Sequence, residues 1–524
     1  MATAANGTTQ GGPPTRSKLH GRAFYESIGS PKLVLAPMVE QSEFAWRMLS
    51  RSFLPPGQQK SLLAYTPMFH AKLFGEKSNY RDAHFQPLKS PMAWPPDHDD
   101  ASQVADSERH LDGNPAFDRP LMVQFCSNDP NDLLRAAQHV APFCDAIDLN
   151  LGCPQGIAKR GKYGAFLQED PGLIASMIHK LHTELDIPVT AKMRVLETKE
   201  KTLEYAKMIL DAGASIITVH GRRREQKGHN TGLADWQMIR HLRDSLPKDT
   251  VIFANGNILQ HEDIAACLEA TGADGVMSAE GNLYDPTIFA PPPPIGQEGR
   301  EYWRDASGKG GYRMDAVMRR YMDIIHKYAL GQQPPERKPL WMPGDPEPPP
   351  VHEQRPEEEE EEGPPKKKQK KLSKAEQKKA KTSNPNLTAM QAHAFHMLRP
   401  LVSEHHEVRD ALARARSGDM DAFENVLRLV EKAVKQGISN YKPPSPQECR
   451  TCAPEAPVAA GVDAYECSLA TVARCKRAYW VCQPYVRPLP KEAIEKGSLT
   501  VSKKEKKRVE EQNEKRSVLA RLGE

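Results

Sequence analysis

The sequence has no long apolar runs. No segment reaches the roughly 18 consecutive apolar residues that mark a membrane-spanning helix, and the first residues lack the pattern of a secretory leader. We therefore expect no membrane association. The chain has 524 residues, which is long enough for two or more domains.

Cysteine is scarce, with 9 residues in the chain. Cys449 and Cys452 have the spacing of zinc ligands, and Cys467 and Cys475 are their candidate partners, but no second Cys-x-x-Cys pair follows. We favour reduced, unlinked thiols, as in an intracellular protein, over a zinc site.

Also absent is a Gly-x-Gly-x-x-Gly motif after the first predicted strand, which argues against the alternative fold, a doubly wound sheet. Instead, strand and helix patterns alternate. The predicted strands are Lys32–Met38, Ser61–Phe69, Leu121–Cys126, Ala146–Leu151, Pro188–Val195, Ser215–Gly221, Val251–Gly256 and Asp274–Ala279. The predicted helices include Asn131–Val140, Pro171–Leu185, Thr202–Ala212, Ala234–Leu246 and His261–Thr271. This alternation predicts an α/β protein with a (β/α)8 (TIM) barrel.

Polar residues stand at the predicted carboxyl ends of the strands, where barrel enzymes build their active sites. In chain order the candidates are Ala36, Pro37, Met38, Gln124, Asn150, Cys153, Lys192, Arg194, His220, Asn255, Gly256, Asn257, Ala279 and Glu280. Cys153 taken alone would more often be a small buried apolar residue. Its place among so many polar strand ends instead favours a role in chemistry.

These residues suit flavin mononucleotide (FMN). The loops after strands seven and eight of a barrel commonly bind phosphate through backbone N–H groups, and here they contain Gly256 and Gly281, which allow close approach. Gln124 can both donate to and accept from the edge of the flavin ring. We expect Lys192 and His220 to supply positive charge beside the reduced ring.

The same motifs, in this order, resemble those of the tRNA-dihydrouridine synthases, flavoenzymes that reduce uridine in the D-loop of tRNA. The matching stretches lie between about Ser30 and Phe289 and are Leu35–Ser42, Asp148–Gln155, Ala191–Arg194, Val219–Arg222, Gly232–Trp236 and Ala254–Asn257. Two stretches, Gly161–Leu167 and Ala279–Tyr284, depart from the commoner bacterial pattern. Both are similar to the eukaryotic subfamily that modifies D-loop positions 16 and 17.

The resemblance implies a reaction in which NADPH or NADH reduces FMN, reduced FMN passes a hydride to C6 of uracil, and Cys153 protonates C5 as the general acid. It places Ala36, Pro37, Met38, Gln124, Lys192, His220, Asn255, Gly256, Asn257, Ala279 and Glu280 around the flavin. Glu280 is expected to use its backbone N–H, because its carboxylate would repel a phosphate. Expected contacts to uridine, flavin or RNA are Asn150, Arg194, Arg222 and Arg223, although a solvated charge run would equally explain Arg222–Arg224.

Composition and pattern divide the chain. We predict disorder in residues 1–17, a flavin-binding barrel in 18–290, a connector and first helix in 291–330 and a disordered linker in 331–384. The rest of a helical domain follows in 385–440, and a cysteine-containing segment with a charged tail in 441–524. Within the barrel, Pro91–Asn114 is predicted to be a flexible insertion.

The predicted helices around the linker form a small all-α bundle, made of Tyr312–Leu330, Leu387–Arg399, Leu401–Ala415 and Asp419–Lys435. The resemblance implies that this bundle binds tRNA. Candidate phosphate contacts on it are Arg313, Arg319, Arg320, Arg399, Arg409, Arg414 and Arg416.

The linker carries an acidic run, Glu357–Glu362, followed by a lysine-rich block in residues 366–381. The block is interpreted as a nuclear localisation signal, a tRNA-gripping arm or a solubilising linker, so the expected location is the cytoplasm, the nucleus or both. A monomer is favoured. Two other functions stay open: a flavoenzyme for a free pyrimidine, and an RNA-binding protein without catalysis, against which the presence of Cys153, Lys192 and His220 argues.

Overall fold

Parallel strands close into a barrel in the computed structural model, which describes residues 18–90, 105–346, 384–442, 468–490 and 492. The strands are β1 Leu33–Leu35, β2 Leu62–Tyr65, β3 Phe69–His70, β4 Leu121–Cys126, β5 Ala146–Leu151, β6 Val189–Arg194, β7 Ile216–His220, β8 Val251–Asn255 and β9 Gly275–Ser278. β1 pairs with both β2 and β9, which closes the sheet. β2 and β3 follow one another along the same edge of β4 and together act as one strand of the barrel. The nine strands therefore form an eight-stranded barrel. The predicted (β/α)8 fold is confirmed.

The structure divides one predicted strand, Ser61–Phe69. Pro67 lies in the gap between β2 and β3 and has no N–H to give to the ladder. The Thr66 hydroxyl replaces part of that pairing: it accepts from the Gln124 backbone N–H at 3.2 Å and donates to the Pro67 carbonyl at 2.9 Å. The strand therefore bends while staying attached to β4.

Helices cover the outside of the barrel, which explains why every residue of β4 and β5 is buried. Asp129, Asp170, Thr198 and Asp235 each begin a helix by accepting a backbone N–H from its first turn. The helices are Gly21–Ser27, Phe44–Ser52, Ala71–Glu76, Ser78–His84, Pro130–Val140, Gly156–Gly161, Pro171–Glu184, Lys199–Asp211, Trp236–Ser245, Glu262–Thr271 and Glu280–Tyr284.

A helical bundle follows, as predicted. An antiparallel hairpin of β10 Tyr302–Arg304 and β11 Gly310–Tyr312 connects it to the barrel. Its helices are Met314–Ile324 with its π-helical continuation Ile325–Ala329, then Pro385–Thr388, Met390–Met397, Arg399–Glu404, His406–Arg414 and Met420–Asn440. Pro400 lies in the first turn of a new helix, and Asp419 caps the last helix by accepting from the Ala422 N–H. Both roles agree with the sequence.

The bundle packs directly on the barrel helix Phe44–Ser52. Trp46 is fully buried and stacks on the His393 ring at 3.9 Å. His393 also faces the Glu43 carboxylate at 3.0 Å, and the Asn386 side chain accepts from the Ala45 N–H at 2.8 Å. Barrel and bundle therefore share one core, and a chain cut near residue 290 would expose Trp46.

Two predictions of flexibility are wrong where the structure describes the residues. The linker was expected to begin at residue 331, but Arg337 pairs with Asp323 at 2.9 Å and with Glu424 at 2.8 Å, and Leu340 is buried. In the predicted insertion, Asp112 is buried and pairs with Arg47 at 2.7 Å. The remaining parts of these two segments, residues 347–383 and 91–104, lie outside the described residues, as do residues 1–17.

Residues 468–490 return to the barrel. The helix Ser468–Cys475 is followed by residues 476–490, which contain a turn at 479–480 and little regular secondary structure, and which we call the C-terminal strap. The strap attaches to the hairpin because the Cys482 N–H donates to the Tyr312 carbonyl at 3.0 Å, and its Trp480 is buried against Trp303.

Three of the four zinc candidates, Cys449, Cys452 and Cys467, lie outside the described residues. Cys475 is buried, and burial raises the pKa of its thiol to about 11. Among the residues that the structure describes, no cluster of three metal-ligating side chains is present.

None of the described helices is long and apolar enough to span a membrane.

Candidate active site

The polar strand ends meet at one mouth of the barrel because neighbouring strands run in register. Asn150 on β5 pairs with Lys192 on β6. Arg194 on β6 pairs with His220 on β7, and His220 pairs with Asn255 on β8. The structure thus brings together side chains that are up to about a hundred residues apart in the sequence, as expected of a barrel site.

Cys153 lies on a loop after β5 that is held from several sides. The Asn150 side-chain oxygen accepts from the Gly152 and Cys153 N–H groups at 3.1 and 2.9 Å. Arg194 donates to the Gly152 carbonyl at 2.7 Å, and Lys227 donates to the Pro154 carbonyl at 2.6 Å. Both hydrogen bonds of the Asn150 oxygen therefore position the cysteine loop, which is a role that the sequence did not indicate.

The thiol of Cys153 is partly exposed, so the interpretation as a small buried apolar residue does not describe it. The nearby Cys126 is instead the small buried residue of this region, and burial raises the pKa of its thiol to about 12. Gly164 keeps the space beside the cysteine loop open. Its φ is +64°, and a Cβ there would lie 2.7 Å from the Cys153 carbonyl oxygen, which explains a glycine in the stretch Gly161–Leu167.

A buried polar network lies beneath the mouth. The Gln124 amide donates to Asp148 at 2.7 Å, and its oxygen accepts from Asn150 at 2.8 Å, so both ends of this fully buried amide have protein partners. Asp148 also accepts from the Thr190 hydroxyl at 2.7 Å. Burial raises the pKa of Asp148 to about 6. Sequence reasoning missed Asp148, although a carboxylate inside an otherwise apolar strand was a signal for it.

Three cations crowd the mouth. Burial lowers the pKa of Lys192 to about 8 and that of Arg194 to about 10, and the charge of Arg194 lowers the pKa of Lys192 further. The pKa of Arg222 is lowered to about 10 by burial and by Arg194. Lys192 donates to the Asn255 side chain at 3.0 Å. An anion bound here would reduce the repulsion among these groups.

His220 does not carry the positive charge that we expected of it. Arg222 donates to the Nε2 atom of His220 at 3.1 Å, so this nitrogen is unprotonated. Burial and the neighbouring cations Arg194, Lys192 and Arg222 hold the pKa of His220 well below its ordinary value. The imidazole is therefore neutral, and the positive charge of the site belongs to the lysine and the arginines.

The adjacent arginines Arg222, Arg223 and Arg224 separate in space. Arg222 turns into the site, where it donates to the Asn257 side chain at 2.8 Å, and its contact with uridine, flavin or RNA stays a prediction. Arg224 pairs with Glu169 at 2.8 Å. Arg223 is exposed to solvent.

A cavity of about 550 Å³ opens beside these groups. Its walls include Arg194, His220, Arg222, Asn255, Gly256, Asn257, Ala279 and Glu280 from the barrel, and Tyr485, Val486, Arg487, Pro488 and Leu489 from the C-terminal strap. Ala36, Pro37 and Met38 follow β1 beside this mouth, and the Ala36 N–H donates to the Ser278 carbonyl at 3.0 Å. Sequence reasoning missed the strap.

Comparison with known proteins gives a family for this barrel. The sequence profile of the dihydrouridine synthase (Dus) family matches residues 34–298, from β1 to the end of the barrel. The chain belongs to the dihydrouridine synthase family. The motifs from which the sequence indicated this family carry most of the residues described above, from Met38 to Asn257.

Several relatives named as tRNA-dihydrouridine synthases are similar to this chain. A Schizosaccharomyces pombe protein named tRNA-dihydrouridine(16/17) synthase [NAD(P)(+)] is 39% identical over 474 residues, which are 90% of this chain and 92% of that protein. A Rattus norvegicus tRNA-dihydrouridine(16/17) synthase [NAD(P)(+)]-like protein is 45% identical over 52% of this chain and 55% of its own length. A Homo sapiens tRNA-dihydrouridine(20a/20b) synthase [NAD(P)+]-like protein is 31% identical over 49% of this chain and 70% of its own length.

Proposed function

We propose that this dihydrouridine synthase reduces uridine at positions 16 and 17 of the tRNA D-loop, with FMN as its bound cofactor and NADPH or NADH as the source of electrons. The observation that carries the proposal is a fixed loop that bears the partly exposed Cys153 and whose next residue, Pro154, lines a cavity together with Arg194 and Arg222. A flavin-dependent reduction of uracil needs a proton donor, and the two arginines offer positive charge to a flavin phosphate.

The residues of the cavity fit FMN. The volume of about 550 Å³ lies in the usual range for small-molecule sites. Arg222 and Lys192 offer positive charge to the phosphate and to the reduced ring. Gly256 has a φ of +115°, and a Cβ there would lie 2.5 Å from the Ala234 Cβ, so this part of the cavity wall after β8 needs a glycine. When bound, FMN supplies the hydride that C6 of uracil accepts.

The chain's own residues then handle the proton. Asn150, Arg194 and Lys227 fix the backbone around Cys153, which holds this residue beside the cavity that Pro154 lines. From there the thiol donates its proton to C5 of uracil as the general acid. Lys192 compensates the negative charge that the ring gains on reduction.

Exposed arginines support tRNA as the substrate. Arg313, Arg319 and Arg320 were candidates, but they are engaged in ion pairs with Asp315, Glu431 and Glu301. By contrast, Arg223 at the mouth is exposed, and so are Arg414 and Arg416 on the bundle. Arg399 and Arg409 are also exposed, although Arg399 lies over the Tyr485 ring and Arg409 pairs with Asp410 at 3.1 Å. These five side chains are suited to contact a phosphate backbone.

The choice of positions 16 and 17 rests on the comparisons. Over about half of the chain, identity is 45% to the rat protein whose name gives positions 16/17 and 31% to the human protein whose name gives positions 20a/20b. The S. pombe protein named for 16/17 also matches through the helical bundle, since the match covers 90% of this chain.

The cofactor is tested on purified full-length protein. We expect the absorbance of oxidised flavin and, after acid release, FMN rather than a dinucleotide. Lys192→Met should weaken flavin uptake roughly tenfold or more, because it removes a charged hydrogen-bond donor from the site. Lys199→Met removes an exposed lysine and should not. A colourless protein that fails to take up added flavin would contradict the proposal.

A further inference from the structure

The C-terminal strap forms a wall of the cavity that the barrel motifs do not include. It leaves the hairpin at Cys482 and reaches the mouth, where residues 485–489 line the cavity. Beyond them, Pro490 lies 3.8 Å from the position that a Cβ on Gly232 would occupy. The strap therefore spans the mouth from the helix after β9 to the loop after β7.

Arg487 is the charged residue of this wall. Its Nε donates to both carboxylate oxygens of Glu280, at 2.9 and 3.1 Å. Glu280 is the first residue of the short helix after β9, where the barrel fold commonly binds phosphate. Arg222 lies close to both members of this ion pair. The charge of Glu280 raises the pKa of Arg222, and the charge of Arg487 lowers it. Arg487 thus adds to the cations on the same side of the cavity.

Aromatic contacts fix the position of the strap. The Arg399 guanidinium lies 3.9 Å from the centre of the Tyr485 ring, and Tyr485 lies 5.5 Å from the Tyr284 ring. Arg399 belongs to the helical bundle and Tyr284 to the barrel helix after β9. Arg487 is therefore held beside the cavity by contacts with both parts of the protein.

Glu280 presents an electrostatic problem to a phosphate ligand. A carboxylate at this position repels an anion, unless a cation neutralises it. The ion pair with Arg487 provides that neutralisation from a segment more than 200 residues away. The remaining N–H groups of a guanidinium can bind a phosphate at the same time, because it has five donors in a planar fork.

We propose that the C-terminal strap completes the flavin site and that Arg487 binds the phosphate group of the cofactor. This inference rests on the proposed function, since it takes FMN as the ligand. It assigns a cofactor contact to the C-terminal region and explains how a glutamate is tolerated beside a phosphate.

The test compares two flavins that differ only in the phosphate. Apoprotein of the full-length chain is titrated with FMN and with riboflavin, and the quenching of flavin fluorescence gives both dissociation constants. Arg487→Ala should weaken FMN binding roughly 10- to 100-fold, the range for a hydrogen bond to a charged group, and should leave riboflavin binding unchanged. Glu280→Gln should bind FMN at least as tightly as the wild-type protein. The control is Lys476→Ala, which removes an exposed cation of the strap outside the cavity wall.

The outcomes separate the two proposals. Wild-type protein that binds neither flavin would overturn the FMN assignment and this inference with it. A different outcome would overturn only this inference and leave the FMN assignment intact. In it, wild-type protein binds FMN more tightly than riboflavin, and Arg487→Ala shows the same ratio of the two dissociation constants. Partial recovery of the preference for FMN in Arg487→Lys would support a charge contact with the phosphate.

Discussion

Replacement of Cys153 by alanine is expected to slow dihydrouridine formation on tRNA by roughly 100- to 10,000-fold, the usual contribution of a general acid. The loop around Cys153 is held through its backbone by Asn150, Arg194 and Lys227, so loss of the side chain should leave the loop in place. Binding of flavin and of tRNA should therefore stay near the wild-type value. Single-turnover rates with reduced protein and tRNA measure the effect.

The matched control is Cys267→Ala. Cys267 is also a free cysteine, but it is buried in the helix Glu262–Thr271 away from the mouth. The Cys267→Ala variant should have a lower free energy of unfolding, but the same rate of dihydrouridine formation per folded molecule. If Cys153→Ala retained near-normal turnover, C5 of uracil would receive its proton from another donor, and the role of Cys153 would be wrong.

Asp118→Ala is expected to lower the free energy of unfolding by about 3–5 kcal/mol, as is typical when one partner of a buried ion pair is removed. Asp118 is fully buried and contacts Arg47 at 2.5 Å and Arg51 at 2.8 Å. Without it, Arg47 would keep only Asp112 as an ion-pair partner, and Arg51 would lose its carboxylate partner. Both arginines belong to the helix Phe44–Ser52, on which the helical bundle packs.

Urea unfolding followed by circular dichroism measures this change. Asp244→Ala is the control, because Asp244 forms an exposed ion pair with Arg240 at 3.1 Å; it should cost less than about 1 kcal/mol. Equal destabilisation by the two variants would show that the buried cluster does not hold this helix in place.

The barrel was predictable because its strands are nearly continuous apolar runs that end at glycine, proline or polar residues. β4 and β5 are apolar apart from Gln124, Asp148 and Asn150, and they are observed at the predicted bounds. Such runs are typical of barrel strands, since the helices on the outside leave both faces of the sheet buried. The polar strand ends then had to meet at one mouth.

Orientation and long-range pairing were not predictable. Arg222, Arg223 and Arg224 are identical in type, yet one turns inward to Asn257, one is exposed and one pairs with Glu169. Their directions depend on how the loop after β7 turns, which residue types do not encode. The expectation of a charged His220 was wrong because the hydrogen bond that Arg222 donates to its ring is visible only in the folded structure.

The C-terminal strap was missed for a related reason. Its contact with the cavity joins Arg487 to Glu280 across a separation of 207 residues. No local pattern marks such a contact, and the strap has neither the period of a helix nor that of a long strand. Residues 331–346 were similarly taken for linker, because their charged residues find partners only in the folded bundle.

The central claim is tested most directly in cells. Mass spectrometry of D-loop fragments would compare tRNA from cells with and without this protein. We expect that, without the protein, positions 16 and 17 carry uridine, which is two hydrogens lighter than dihydrouridine. The wild-type gene should restore dihydrouridine, and the Cys153→Ala gene should not. An unchanged dihydrouridine content at both positions would contradict it.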